Sequence, residues 1–148
     1  SSQETAFKRR LEDEFSKIQH LNSFQLISNV PHAHMADLYR ESDLLILPST
    51  FDLAPIAPIE ALAHGVPVVV SERNGTSGYV LNRQTGFQID PDTTKPLLQV
   101  LRFFLSEETA VYEMACRAHS FAEEHLSPQN MLNHFEKVLT VAERRLSE

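Results

Sequence analysis

Apolar positions recur along this chain at two different periods. Phe7, Leu11, Phe15 and Ile18 are spaced by four, four and three, which predicts an amphipathic helix over residues 4–19. Continuous short apolar runs read instead as strands buried on both faces: LLILP at 44–48, and VPVVVSE at 66–72 with Pro67 at its start. FQLISNV at 24–30 predicts a further strand closed by Pro31, and FQID at 87–90 a short terminal one. Met35, Leu38 and Tyr39 share one face of a short helix within 32–42.

Residues 56–64 form the next predicted helix. Pro55 and Pro58 are tolerable there because first-turn N–H groups have no intrahelical acceptor. Gly65 stands where a left-handed C-cap belongs. RNGTSGYVLNRQTG reads as a glycine-rich polar loop, and helices follow at 94–105, 107–125 and 128–146. Ser127-Pro128 supplies the N-cap and first residue of the last one. Strands separated by such helices define an α/β class with a mostly parallel sheet.

Composition narrows the function without naming it. A length of 148 residues fits one domain with a real core, and 42% hydrophobic with 22% charged content is ordinary for a globular chain. The net charge of −7 and the absence of a basic stretch interleaved with aromatics argue against nucleic acid. The Lys8-Arg9-Arg10 cluster runs directly into Glu12, Asp13 and Glu14, the mark of a solvated helix face. Cys116 is the single cysteine, so no intrachain disulfide forms and no thiolate metal pattern exists. Its place among apolar helical neighbours predicts a buried, inert thiol. The polar start is not a signal peptide, and the longest apolar runs fall far short of the roughly 20 residues that span a bilayer. A cytoplasmic chain is expected, with peripheral membrane attachment of a parent protein left open. Opening without methionine, straight into a helical pattern, suggests a fragment of something longer.

In parallel sheets, ligands bind in the crevice beyond the carboxyl ends of the strands. Three segments reach that edge: SNVPHAH, PSTFDLAP and SERNGTSG. The second leads into the helix at 56–64 and carries Asp52 in the loop and Glu60 near the end of the first helical turn. Free N–H groups at a helix start suit an anion such as a diphosphate. Carboxylates beside them suit sugar hydroxyls, which donate hydrogen bonds. A ligand with a charged middle and hydroxylated ends fits that arrangement.

The run YRESDLLILPSTFDLAPIAPIEALAHGVPVVVSE carries a more specific resemblance. Tyr39, Ser42, Asp43, Pro48, Ser49, Asp52, Glu60, Ala61, Ala63, Gly65, Pro67, Val68 and Val69 agree in order and spacing with the signature of the retaining glycosyltransferases of family 4. Gly75, Thr76, Gly86 and Phe87 resemble that family's glycine loop and following strand, and the similarity runs from about residue 20 to the end. The resemblance implies a Rossmann-like parallel sheet with flanking helices, part of the C-terminal donor-binding domain of the GT-B fold, over residues 1–148.

It also implies roles. Glu60 would take the ribose hydroxyls of a nucleotide and Asp52 those of the transferred sugar. Leu53, Ala54, Pro55, Ile56 and Ala57 would bring backbone to the sugar and phosphate, with Gly75 and Thr76 beside the diphosphate. Ser28, Asn29 and Val30 would lie against the base. The implied chemistry is same-face transfer from a UDP-, GDP- or ADP-sugar, with no metal or cofactor, the donor's own phosphate helping to deprotonate the acceptor. The implied partners are that donor, the protein's own N-terminal domain and an unidentified acceptor.

Departures from the family pattern temper the expectation. The first acid is Asp52 where the family usually has Glu, and Leu53-Ala54-Pro55 replaces Gly-Phe-Gly. Pro55 removes one N–H that the family would aim at the ligand. Ser28 stands for a glycine and Gly78 for a frequent acid. The opening Gly-Arg strand and its Lys-Gly, which stabilise the leaving diphosphate, are not recognisable, so the chain alone is expected to be inactive. A non-catalytic nucleotide-sugar-binding or interaction module is the alternative. His32, His34 and Asp37 raise a weaker, metal-binding reading, with Asp37 one residue off the usual His-x-His-x-Asp spacing. Ser49 and Ser77 lack the context of a hydrolase nucleophile.

Overall fold

The structure, a computed structural model, describes Arg9, Gln25, Ile27 and residues 29–146, and the chain divides into two compact units, residues 1–32 and 33–148. The helix predicted over 4–19 lies outside the described residues except for Arg9, which is helical. The strand predicted over 24–30 is described only at Gln25, Ile27, Asn29 and Val30, none of which is in a strand. Asn29 takes a left-handed backbone with φ 56°, a conformation that Asn tolerates better than most residues.

A turn of 3-10 helix spans His32–His34, and the first α-helix of the second unit is α1, Met35–Arg40. The sheet follows as β1 (Leu45–Leu47), β2 (Val68–Ser71) and β3 (Gly86–Ile89), all parallel and in the order β1-β2-β3. Helix α2, Ala57–Ala63, makes the crossover between β1 and β2, so its first turn begins at the carboxyl edge of the sheet. The link from β2 to β3 holds a 3-10 turn at Ser77–Tyr79, and α3 (Lys95–Ser106), α4 (Glu108–His125) and α5 (Pro128–Leu146) complete the order.

Side chains alternate across a strand, and β2 shows the consequence. Val68 and Val70 pack on one face with Tyr39, Ala61, Leu62, Val66, Val80, Ala118 and Ala122. Val69 packs on the other with Phe87, Ile89, Val100 and Met114. All four β2 residues are fully buried, as the valine run predicts. Phe87, Phe103 and Phe104 close the second face edge-on, with ring centroids 5.4–6.1 Å apart.

Strand β1 departs from the expectation of burial on both faces, because Ile46 is 37% exposed. It is the edge strand of the described sheet, paired with β2 alone. Cys116 is exposed rather than buried. The buried stripe of α4 is Met114, Ala118 and Ala122, and a residue two positions after Met114 falls on the opposite side of a 3.6-residue turn.

The punctuation residues act as their chemistry predicts. Gly65 has φ 73°, and Val66 N–H to the Ala61 carbonyl (2.9 Å) and Gly65 N–H to the Leu62 carbonyl (3.0 Å) complete a Schellman closure of α2. Ser127 Oγ accepts from the Asn130 N–H at 3.3 Å, capping α5. Gly86 is required by the β2–β3 pairing, since a Cβ there would stand 2.0 Å from the Val68 carbonyl oxygen.

Candidate active site

Asp52 lies in the loop after β1, and its backbone bridges to Asn74, in the loop after β2. The Gly75 N–H donates to the Asp52 carbonyl at 2.8 Å. The approach is so close that a Cβ on Gly75 would fall 1.6 Å from the Leu53 carbonyl oxygen. The loop after β2 therefore sets the backbone course of the Asp52 loop. The Asp52 residue is partly exposed, and Phe51, Leu53 and Ile56 around it are 78%, 77% and 65% exposed.

Glu60 is the fourth residue of α2 and is partly buried. Its Oε2 accepts from the Tyr39 hydroxyl at 2.9 Å. Tyr39 is 4% exposed, and burial first, then the hydrogen bond and charge of Glu60, push its phenol up to about 12. His64 Nδ1 lies 2.8 Å from the Glu60 carbonyl, which fixes a proton on that nitrogen because a carbonyl only accepts. The two acids thus stand along one sheet edge, one after β1 and the other in the first turn of the crossover helix.

The residues expected around them are arranged unevenly. Leu53 and Ala54 are exposed, Pro55 and Ala57 partly so, and Ile56 is the N-cap of α2. Helix α2 has only seven residues and carries Pro in its first turn, so few N–H groups are offered there. Thr76, expected beside a diphosphate, turns inward: it is 4% exposed, and both its N–H (2.9 Å) and its hydroxyl (2.7 Å) donate to Asn74 Oδ1. The reason is the Asn74 side chain, which forms an Asx-type turn with the amide two residues on. Those two donors orient the Asn74 amide, leaving its buried Nδ2 without a partner among the described residues. Arg73 at the same edge is turned toward Asp92 at 3.2 Å and Asp90 at 3.8 Å, and its guanidinium is held charged by Asp92 foremost.

Ser28 lies outside the described residues, and Asn29 and Val30 belong to the first unit. His32 and His34 are exposed, and no three His, Cys, Asp or Glu side chains among the described residues gather as a metal site. No helix among the described residues is long and apolar enough to cross a membrane. A depression of about 360 Å³ lined by Leu81, Gln84, Cys116 and Phe121 lies at the start of β3, the opposite edge from Asp52. Two features escaped the sequence reading: Tyr39 as the partner of Glu60, and Asn74 as the organiser of its loop. Tyr39 stood within the motif but 21 residues from Glu60, with nothing in the spacing to pair them. The Asn-Gly-Thr run does carry turn chemistry and could have disclosed the second.

In a parallel α/β sheet the ligand crevice lies beyond the carboxyl ends of the strands, the edge where Asp52 and Glu60 stand. The profile of the family described as "Glycosyl transferases group 1" matches residues 4–125, beginning earlier than the motif suggested and ending before α5. The chain belongs to that family. It is 33% identical over 89 residues, 60% of its length, to the D-inositol 3-phosphate glycosyltransferase of Rhodococcus erythropolis, and that match covers 20% of the relative. Among solved structures it superposes on the C-terminal domain of a group 1 glycosyl transferase, LpcC, from Francisella tularensis with a TM-score of 0.74 at 15% identity, covering 86% of this chain and 66% of that one. HepE of Anabaena, solved in complex with UDP-glucose, gives a TM-score of 0.80 at 16% identity, over 93% of this chain and 38% of HepE. The chain therefore spans about a fifth of the curated relative and under two fifths of HepE.

Proposed function

We propose that this chain is part of the donor half of a retaining glycosyltransferase that moves a sugar from a nucleotide diphosphate sugar to a sugar, lipid or protein acceptor. The observation that carries the reading is the placement of Asp52 and Glu60 on one sheet edge in a chain of this family. Glu60 receives the ribose hydroxyls, and Asp52 those of the donor sugar. HepE, which shares the fold, was solved with UDP-glucose, which makes a UDP-sugar the first donor to try, before GDP- and ADP-sugars. The transfer uses no metal or cofactor in this reading, the donor's own phosphate taking part in deprotonating the acceptor. An N-terminal domain of the same protein supplies the acceptor side of the cleft.

A second reading, nucleotide-sugar binding without transfer, is favoured by a specific set of observations. Pro55 offers no N–H, the Thr76 donors are engaged by Asn74, and Arg73 is engaged by acids. Each removes a group that would meet phosphate charge. Calorimetric titration of the full-length protein with UDP-, GDP- and ADP-sugars, with Glu60→Ala as control, tests the donor site. Binding of one donor that the control loses is expected, and indifference to all three refutes the reading. Release of nucleotide in the presence of acceptor extracts then separates transfer from binding alone.

A further inference from the structure

Glu60 is held from outside its own helix. Tyr39 comes from α1, is 4% exposed and packs within the apolar cluster that includes Val68 and Val70. Its hydroxyl reaches Glu60 Oε2 at 2.9 Å. Its ring lies 5.4 Å from that of His64, tilted by 31°, and His64 in turn bonds the Glu60 carbonyl at 2.8 Å. The ring is thus fixed by the core and by both ends of α2.

A glutamate side chain on a surface helix turns about three bonds, and ordering it costs entropy on binding. A phenol fixed by the core and donating to one carboxylate oxygen removes much of that freedom before any ligand arrives. The phenol takes one of the about four acceptor positions of an ionised carboxylate. Because the phenol stays protonated far above neutral pH, it remains a donor throughout the working range.

We propose that Tyr39 is a positioning residue for Glu60, its hydroxyl holding the carboxylate in the orientation that receives the vicinal hydroxyls of a nucleotide's ribose. The inference rests on the reading of Glu60 as the ribose acceptor and adds the element that orients it. Tyr39 touches no ligand in this scheme, so its effect must pass through Glu60 and must depend on the ribose.

The experiment compares UDP with 2′-deoxy-UDP, and the same pairs built on GDP and ADP, by calorimetry on the full-length protein. Wild type is expected to prefer the ribonucleotide. Glu60→Ala should abolish that preference, and Tyr39→Phe should weaken the ribonucleotide about 5- to 10-fold while changing the deoxy form less than 2-fold, in keeping with the net worth of a typical intramolecular hydrogen bond. A Tyr39→Phe protein that weakens both forms alike has lost packing only, and that overturns the proposal. So does one that keeps the full preference while Glu60→Ala loses it, which leaves the ribose reading standing. A preference unchanged in Glu60→Ala, or no binding of any pair, overturns the ribose reading itself and the inference with it. Difluorotyrosine at position 39 guards against a misfolded variant, since it keeps the ring but acidifies the phenol. Ribonucleotide affinity should then fall as pH rises through the lowered phenol pKa, and a flat profile counts against the role.

Discussion

The loops that leave β1 and β2 sit side by side at one edge of the sheet and are built in opposite ways. The first, from Pro48 to Ile56, turns large apolar side chains outward, with Phe51 78% and Leu53 77% exposed. The second, from Glu72 to Val80, closes on itself: Asn74 and Thr76 are buried, and the N–H groups of Ser77, Tyr79 and Val80 all bond carbonyls within the loop. The two meet where Gly75 N–H donates to the Asp52 carbonyl. A chain cannot easily hold a loop open with that loop's own contacts. Here a closed neighbour supplies the rigidity, and the open loop keeps its side chains for something else.

If that division of labour is right, damage to the closed loop should cost most. Gly75→Ala places a Cβ where the nearest atom is a backbone carbonyl at 1.6 Å, which cannot rotate away. Overpacked sites typically lose 1–3 kcal/mol, and this one should reach the upper end, about 3 kcal/mol, by denaturant unfolding. The amide resonances of Asp52 and Leu53 should shift with it. A variant as stable as wild type, with those resonances unmoved, would break the comparison outright.

Asn74→Ala comes next. It deletes the acceptor of both Thr76 donors and leaves them buried, a cost of about 1–3 kcal/mol. Removal of the unpartnered Nδ2 offsets part of this, so about 2 kcal/mol is expected. Thr76→Val separates the terms, because it removes the hydroxyl bond and keeps the N–H bond. It should cost less than Asn74→Ala in the same unfolding assay.

The helix that follows the open loop has its own anchor in Tyr39, through Glu60, and this one is sensitive to pH. The native phenol is raised to about 12 from an ordinary 10, so the folded state holds its proton where the unfolded state has lost it. Stability from this group is complete below about pH 10 and falls as pH rises from 10 towards 12. Urea midpoints in that window should fall more steeply for wild type than for Tyr39→Phe. Parallel slopes would mean that burial and the contact with Glu60 together do not hold the phenol's proton in the folded state.

Legibility in the sequence followed the range of the forces involved. Strand β2, the Gly65 closure and the Ser127 cap were readable because a run of valines, a glycine after a helix and a serine before Pro128 act over a few residues. The exposure of Ile46 was not, since it depends on what packs on that face of β1 and not on β1 itself. Cys116 was misplaced although the helical phase of Met114, Ala118 and Ala122 was available to correct it. At the site, the motif located Asp52 and Glu60 along the chain. The inward turn of Thr76 was hidden because its donors suit either the Asn74 side chain or an acceptor from outside, and sequence does not say which of the two they take.

The smallest expected effect is the sharpest test of the contrast. Phe51→Ser and Leu53→Ser replace large apolar side chains in the middle of the family motif, and a reading of the motif as fold-determining predicts a heavy loss. Both side chains are more than three-quarters exposed, so little apolar surface returns to water when they are removed. Surface changes away from specific contacts usually stay within about 0.5 kcal/mol, and each variant should unfold at the wild-type midpoint within that margin. Two apolar side chains on either side of a carboxylate then contribute nothing to the folded chain's stability, as the contrast requires. A loss of about 2 kcal/mol or more in either variant, on the scale of burying a whole apolar side chain, would show instead that these residues are covered within the folded chain. The loop would then be closed like its neighbour, and the contrast between them would disappear.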